Sequence, residues 1–150
     1  MDVEKAIRDY LPGMLHMSLA TCVDNKPWVC EVHFVYDDDL NLYWRSTPDR
    51  RHSQEIVRNP NVAGNIVEQH GADMKPRGLY FEGTAEQLSG LTEASPEYKL
   101  FADRLGLGPD ILDNPHGFYK LTVADWYVFD ARESKPSQKY HLGRSGDKNE

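Results

Sequence analysis

The sequence lacks the features of a disulfide-stabilised, membrane-spanning or nucleic-acid-binding protein. Only two of its 150 residues are cysteines, Cys22 and Cys30, and they form no C-x-x-C pair, so neither a disulfide framework nor a cysteine-based zinc site is predicted. No apolar run approaches the ~18 residues that a transmembrane helix needs. Acidic residues outnumber basic ones by 24 to 17, and this net charge of -7 argues against a polyanion such as DNA as a partner.

Sequence motifs of common catalytic sites are absent too. The sequence has no G-x-S-x-G nucleophile elbow, no Walker phosphate loop and no G-x-G-x-x-G dinucleotide fingerprint. Its histidines show no H-x-x-x-H pairing, so no dedicated metal site is predicted. No catalytic residue can be assigned from the sequence.

The chain length fits one compact domain, which we place at residues 1–132, followed by a polar tail at 133–150. The tail mixes Lys, Arg and Asp with Ser and Gly, which predicts that it is partly disordered or lies across a partner subunit. The opening residues carry acids where a secretory leader carries positive charge, so we expect a cytoplasmic protein.

Hydrophobic periodicity predicts a mainly β protein with a few flanking helices. An amphipathic helix opens the chain and ends at Pro12-Gly13, a second begins near Arg50, and a third runs from Ser95-Pro96 to Gly106. The remaining apolar segments alternate like strands, about seven in number: 14–23, 28–36, 40–44, 62–69, 78–88, 118–123 and 126–131. No helix separates the first three strands, which favours an antiparallel barrel or a strongly curled sheet.

One segment is strongly basic within this acidic chain. Arg45, Arg50, Arg51, His52 and Arg58 fall within fourteen residues and are interleaved with serine and threonine hydroxyls. The segment joins the end of a strand to the start of a helix, where backbone N–H groups are free. Guanidinium groups, hydroxyls and a helix start together favour a phosphate site, although a solvated basic helix face is the alternative.

Several motifs occur in the order and spacing of a known family. They are Met17-Ser18-Leu19-Ala20-Thr21, a hairpin with Pro27, Leu42-Tyr43-Trp44-Arg45-Ser46, Arg51-His52-Ser53, Asn59-Pro60 and Arg77-Gly78-Leu79-Tyr80-Phe81-Glu82-Gly83. Over residues 14 to 90 the chain resembles the pyridoxamine 5'-phosphate oxidase-like family of FMN-binding split β-barrels. The resemblance implies an antiparallel split barrel that forms a homodimer, with the flavin in a groove between the two subunits.

The resemblance also implies which residues bind the cofactor. The flavin phosphate would lie against Arg45, Ser46, Thr47, Arg51, His52 and Ser53, and Gln69 would reach the cofactor from the end of a neighbouring strand. His52 falls near the family's usual lysine, so FMN affinity is expected to weaken as the pH rises. Arg50 is less favoured than Arg51, because adjacent residues at a helix start do not easily face one phosphate.

The implied function is that of an FMN-binding flavoprotein, a flavin-dependent oxidoreductase or reductase with a small-molecule redox substrate. Flavin carries the redox chemistry itself, which accounts for the missing catalytic motifs. The part after residue 90 has no counterpart of the oxidase's substrate-binding segment, so a short relative rather than the oxidase proper is expected. The alternatives are a haem- or deazaflavin-binding barrel, with His16, His33 or His141 as a haem ligand, and a cofactor-free dimeric binding module.

Overall fold

The computed structural model describes residues 1–69, 71–132 and 139–144. Within these ranges, eight strands form one antiparallel sheet with three α-helices around it. The helices are α1 (Val3–Tyr10), α2 (Arg51–Arg58) and α3 (Pro96–Leu105). The strands are β1 (His16–Val23), β2 (Lys26–His33), β3 (Val35–Tyr36), β4 (Leu42–Ser46), β5 (Asn61–Val67), β6 (Arg77–Leu88), β7 (Gly117–Asp130) and β8 (Lys139–Gly143).

The sheet curls into a half-barrel with the strand order β2-β1-β5-β6-β7-β4-β3, and β8 also pairs with β7. This confirms the prediction of a mainly β, antiparallel split barrel with a few helices. Adjacent strands run antiparallel at every junction of the described sheet. None of the helices in the described part of the chain is long and apolar enough to cross a membrane.

The last two predicted strands are in fact one, and this part of the prediction is wrong. β7 runs without interruption past Ala124, which is the extra residue of a β-bulge: Gly83 of β6 pairs with Val123, whereas Glu82 pairs with Asp125. A Cβ on Gly83 would collide with the carbonyl oxygen of Thr122, so the close approach requires glycine there. The bulge bends the long β6–β7 ribbon, which helps the sheet to curl.

The sequence-based prediction also missed a strand, β8, within the predicted tail. It pairs with residues 125–129 of β7, on the edge that β4 occupies further along at residues 117–121. The rest of the predicted tail, 133–138 and 145–150, lies outside the described residues.

The core fills the concave side of the sheet with large apolar side chains. Trp44 stacks on Tyr119 with ring centroids 5.6 Å apart, and Phe81 meets Trp126 edge-on at 5.5 Å. All four side chains are buried. A second apolar cluster lies under α3, where Phe101 packs edge-on against Phe118 at 5.3 Å. This cluster holds α3 against the β3–β4 region, close to the end of β4 that carries the basic segment.

Candidate functional site

A cavity of about 1000 Å³ opens where β4 ends and α2 begins. This is the upper end of the ~300–1,000 Å³ range of small-molecule sites. Five of the predicted site residues line it, namely Arg45, Ser46, Thr47, Arg51 and His52. Further lining residues come from β2, α3 and the segment before β7, and include Trp28, Glu31, His33, Arg104 and His116.

Arg45 and Ser46 both line the cavity, although they lie on opposite faces of β4. Side chains alternate along a strand, so Ser46 shares a face with the core residue Trp44, whereas Arg45 shares one with Tyr43 in the cluster under α3. The Arg45 guanidinium lies 5.7 Å from the ring of Phe118, and burial lowers its pKa. Its Nε atom is buried and has no hydrogen-bond partner among the described residues, so the site leaves a donor unpaired.

His52 is directed inward from the first turn of α2. Its Nε2 lies 2.8 Å from Ser46 Oγ, and only 7% of the residue is exposed. Burial lowers the pKa of His52, and the positive charge of Arg50 lowers it further. The imidazole is therefore favoured in its neutral form at neutral pH.

Arg51 is held in place by Glu55 and Trp28, and Glu55 is itself fixed by Thr21. Its Nε donates to Glu55 Oε2 at 2.8 Å, and Thr21 Oγ1 donates to the other carboxylate oxygen of Glu55 at 2.6 Å. The Arg51 guanidinium also lies 4.2 Å from the ring centroid of Trp28. The two hydrogen bonds, of which that from Thr21 is the stronger influence, hold the pKa of the Glu55 carboxyl below its ordinary value. Arg51 is thus pre-oriented at the mouth of the cavity, with part of its charge already matched.

Arg50, which the sequence analysis favoured less than Arg51, is the less committed of the two. It is the exposed N-cap residue of α2, and within the described part of the chain it forms no ion pair. The backbone of Arg50 is extended, whereas that of Arg51 is helical, and both arginines line the cavity. The preference for Arg51 over Arg50 stays a prediction.

Arg104 faces the cavity from α3, and nothing in the sequence signalled it. Its Nε donates to the carbonyl oxygen of Tyr36 at 3.2 Å, and its guanidinium lies 3.7 Å from the ring centroid of the same residue. Sequence analysis missed Arg104 because it is about fifty residues from the basic segment and marks only the last turn of a helix.

Two predicted site residues do not line this cavity. Ser53 is 1% exposed on the inner side of α2, and its Oγ has no partner among the described residues. Gln69 lines a neighbouring cavity of about 700 Å³, which shares Leu15 and Glu31 with the first. Five of the seven predicted site residues therefore line one cavity. Ser53 is buried behind its wall, and Gln69 lines the neighbouring cavity.

The donor set of the cavity fits an anion, and phosphate in particular. Among the residues that the structure describes, four arginines line it against one carboxylate, Glu31, which the Ser18 hydroxyl contacts. The first turn of α2 carries no acidic residue and no side-chain cap, so its first N–H groups have no capping side chain to bind. Within the ranges that the structure covers, no three His, Cys, Asp or Glu side chains gather closely enough to hold a metal ion.

The curled antiparallel half-barrel is the fold of a split-barrel protein. A cation-lined cavity lies beside its basic strand–helix junction. Residues 3–129 match the model of the family described as Pyridoxamine 5'-phosphate oxidase. The chain belongs to this family, as its motif order indicated.

Curated relatives of the chain cover only part of it. A UPF0306 protein of Photorhabdus laumondii is 28% identical over 85 residues, which is 56% of this chain and 59% of the relative. A UPF0306 protein of Klebsiella pneumoniae strain 342 is 30% identical over 95 residues, or 63% of this chain and 65% of the relative. The chain thus spans less than two thirds of the length of either.

Solved structures share the fold over most of the chain. General Stress Protein 26 from Bacillus anthracis superposes with a TM-score of 0.68 at 20% identity, covering 95% of this chain and 100% of that one. A FAD-binding protein from Mesorhizobium loti gives 0.68 at 21% identity, over 84% and 90%. A haem-binding protein from Mycobacterium smegmatis gives 0.69 at 15% identity, over 87% and 53%. At these identities the likeness concerns the fold.

Proposed function

We propose that the chain is a cytoplasmic FMN-binding flavoprotein that acts as a flavin-dependent oxidoreductase on a small-molecule substrate. The observation that carries the proposal is the concentration of Arg45, Arg50, Arg51 and Arg104 around one cavity in a protein of net charge -7. An excess of cationic over anionic side chains in a concave site favours an anionic guest. Membership of the oxidase family and a FAD-binding structural neighbour make a flavin the preferred guest.

The α2 end of the cavity would hold the flavin phosphate. Ser46 and Thr47 supply hydroxyl donors, Arg50 and Arg51 supply guanidinium donors, and the first turn of α2 supplies backbone N–H groups. Bound FMN would supply hydride and electron transfer, while the protein positions it and limits its access to water. Trp28 lies beside Arg51 at the rim and would shield the phosphate from solvent.

We further propose that two copies of the chain form a homodimer with this cavity at their interface. Leu15, Trp28 and Val29 are large apolar residues, each more than 40% exposed, and the first two line the cavity. β2 ends the strand order, so one of its edges pairs with no strand of the described residues. A second subunit would bury this apolar rim. Light scattering of the purified protein tests the assembly, and a mass of one 17.2 kDa chain would contradict it.

The cofactor is tested by absorbance. Purified protein is incubated with excess FMN, passed through a desalting column and scanned in the visible range. Riboflavin, which lacks the phosphate, is the matched ligand control. We expect FMN to be retained at about one per chain and riboflavin to be lost, since charge-assisted hydrogen bonds contribute ~1.5–3 kcal/mol each. Loss of both flavins contradicts the proposal, and equal retention contradicts the phosphate assignment. NADH- or NADPH-driven reduction of the retained flavin then tests the oxidoreductase activity.

Haem is the second candidate, favoured by one specific observation. His33 and His116 both line the cavity, and His33 meets His16 ring-to-ring at 4.5 Å, so an imidazole ligand is available at the site. A haem-binding structural neighbour supports the same reading. The third histidine considered from the sequence, His141, instead contacts Asp125 Oδ1 at 2.7 Å, outside the cavity. Titration with haemin, compared between the wild type and His33→Ala, decides this candidate: an unshifted haem spectrum in both excludes it.

A further inference from the structure

His52 occupies an unusual position for a residue in an anion site. A surface cation would extend into the cavity, but this imidazole is 7% exposed and its Nε2 lies 2.8 Å from an uncharged hydroxyl, Ser46 Oγ. No carboxylate forms an ion pair with it among the described residues. The ring therefore has a partner for a hydrogen bond but none that would stabilise a positive charge.

Besides burial, the positive charge of Arg50 acts against protonation of His52. Arg50 and Arg51 precede it at the start of α2, Arg45 lies on β4, and His33 faces the cavity from β2. α3 contributes Arg104, and the segment before β7 contributes His116. The one carboxylate on the wall is Glu31 of β2, and the Ser18 hydroxyl contacts it. His52 also lies in the first turn of α2, at the positive end of the helix dipole, which disfavours an imidazolium further.

A neutral imidazole carries one N–H, and its tautomer determines whether the Ser46 hydroxyl can donate a hydrogen bond to an anion in the cavity. If the proton is on Nδ1, Nε2 accepts the Ser46 hydroxyl proton, and Ser46 presents only lone pairs to the cavity. If the proton is on Nε2, that N–H donates to Ser46 Oγ, and the hydroxyl proton is free to point elsewhere. Only the second arrangement gives an anion in the cavity a donor from Ser46.

We propose that His52 is a neutral positioning residue whose Nε2–H donates to Ser46 Oγ and so turns the Ser46 hydroxyl proton toward the bound anion. The inference rests on the proposed function, because the anion is taken to be the flavin phosphate. His52 would then orient the Ser46 hydroxyl, and it would not bind the phosphate itself as a cation. Contrary to the sequence-based expectation, FMN affinity should then stay nearly constant as the pH rises above 7.5.

The first test reads the tautomer directly and needs no flavin. The ¹⁵N signals of His52 are assigned by comparison with His52→Gln and followed from pH 5.5 to 8.5, without and with inorganic phosphate. A neutral ring with its proton on Nε2 in the phosphate-bound protein is the expected result. An imidazolium at pH 7.5, or a proton on Nδ1, overturns the inference. Because the probe is phosphate, this result stands even where FMN fails to bind.

The second test uses variants and calorimetry of FMN binding. Gln places an amide N–H close to the position of His Nε2–H, so His52→Gln is expected to keep the wild-type affinity within about threefold, whereas His52→Leu and Ser46→Ala each lose about tenfold. Combining His52→Leu with Ser46→Ala adds little further loss, because both remove the same donor. Circular dichroism confirms that each variant folds, and riboflavin serves as the phosphate-free control.

The same titrations count protons. FMN binding is measured at pH 7.5 and 8.5 in two buffers of different ionisation enthalpy, where the phosphate is already dianionic because its second pKa is about 6. We expect no net proton uptake and less than a threefold change in affinity between the two pH values. Uptake approaching one proton, or loss of binding in His52→Gln equal to that in His52→Leu, shows a cationic His52 and overturns the inference. Absence of FMN binding in every variant contradicts the proposed function instead.

Discussion

The barrel core and the cavity wall of this protein are built in different ways. Core side chains such as Trp44 and Trp126 are apolar, buried and held by contact with neighbours on adjacent strands. Wall side chains such as Arg51 and His52 are polar, and each is held by another polar side chain while part of its hydrogen-bonding capacity remains unused. The first region supplies stability, and the second supplies donors for a ligand, so substitutions in the two should have separable effects.

The largest effect is expected in the core. Trp44→Ala removes an indole that is fully buried and stacked on Tyr119. Such large-to-small changes cost ~3–5 kcal/mol of unfolding free energy, a large part of the stability of a typical domain. Urea denaturation of the flavin-free protein measures it. Trp44→Phe is the control: it keeps one six-membered aromatic ring and removes the rest of the indole, including an Nε1 that has no partner among the described residues, so it should lose less. Equal losses in the two variants would show that the stacked ring is not what stabilises the core.

At the cavity wall, a substitution should change ligand binding and leave stability almost unchanged. Arg50→Gln should weaken FMN binding by about 10- to 100-fold, while the unfolding free energy changes by less than ~0.5 kcal/mol. The reason is that Arg50 forms no ion pair within the described residues, and its removal breaks no structural contact that would cost stability. Fluorescence titration with FMN gives the affinity. Arg8→Gln is the matched control, because Arg8 pairs with Glu4 on α1 and does not line the cavity. A similar loss in both variants would mean that net charge, rather than this site, governs binding.

The two regions also differ in how far the sequence predicts them. Strands and helix ends depend on local patterns: apolar residues alternate in β1, and Gly106 ends α3 with a φ of 66° that glycine adopts without strain. The exceptions in the fold arise from pairing between distant residues. The bulge at Ala124 keeps β7 continuous although its apolar alternation is interrupted, and β8 is polar enough to resemble a tail.

The cavity wall is harder to predict, because it is assembled from five separate segments. The basic segment marked the β4–α2 junction correctly, since its charge is concentrated within a few residues. Arg104 and His33 reach the same cavity only through the packing of α3 and the curl of β2, which no local pattern encodes. The rotation of α2 likewise decides that His52 faces the cavity while Ser53 is buried behind it.

A smaller effect is expected from Glu55, which links the wall to the sheet. Because Thr21 and Arg51 hold the pKa of this carboxyl below its ordinary 4.5, its ionised form stabilises the fold above that pH, and the contribution is lost as the pH falls through the folded-state value. Glu55→Gln should therefore lose up to ~1 kcal/mol at pH 7 and show a shallower loss of stability on acidification than the wild type. Urea midpoints at pH 3.5, 5 and 7 test this. Parallel pH profiles for both proteins would contradict the role given to the carboxylate.

An effect on reactivity, rather than on stability or affinity, is expected at Cys30, which belongs to both regions: it packs against the core cluster and lines the cavity. Burial, aided by the nearby charge of Glu31, raises the pKa of its thiol from 9.0 to about 11. Since the thiolate is the reactive form, alkylation by iodoacetamide at pH 7.5 should be about a hundredfold slower than for a thiol of ordinary pKa. Mass spectrometry of Cys22→Ser, which leaves Cys30 as the only cysteine, gives the rate, and the same protein in urea gives the unhindered value.

Bound FMN should slow the reaction further if Cys30 is reached through the cavity. A rate that FMN leaves unchanged would assign Cys30 to the core alone, and rapid labelling of the folded protein would show that this part of the wall opens to solvent.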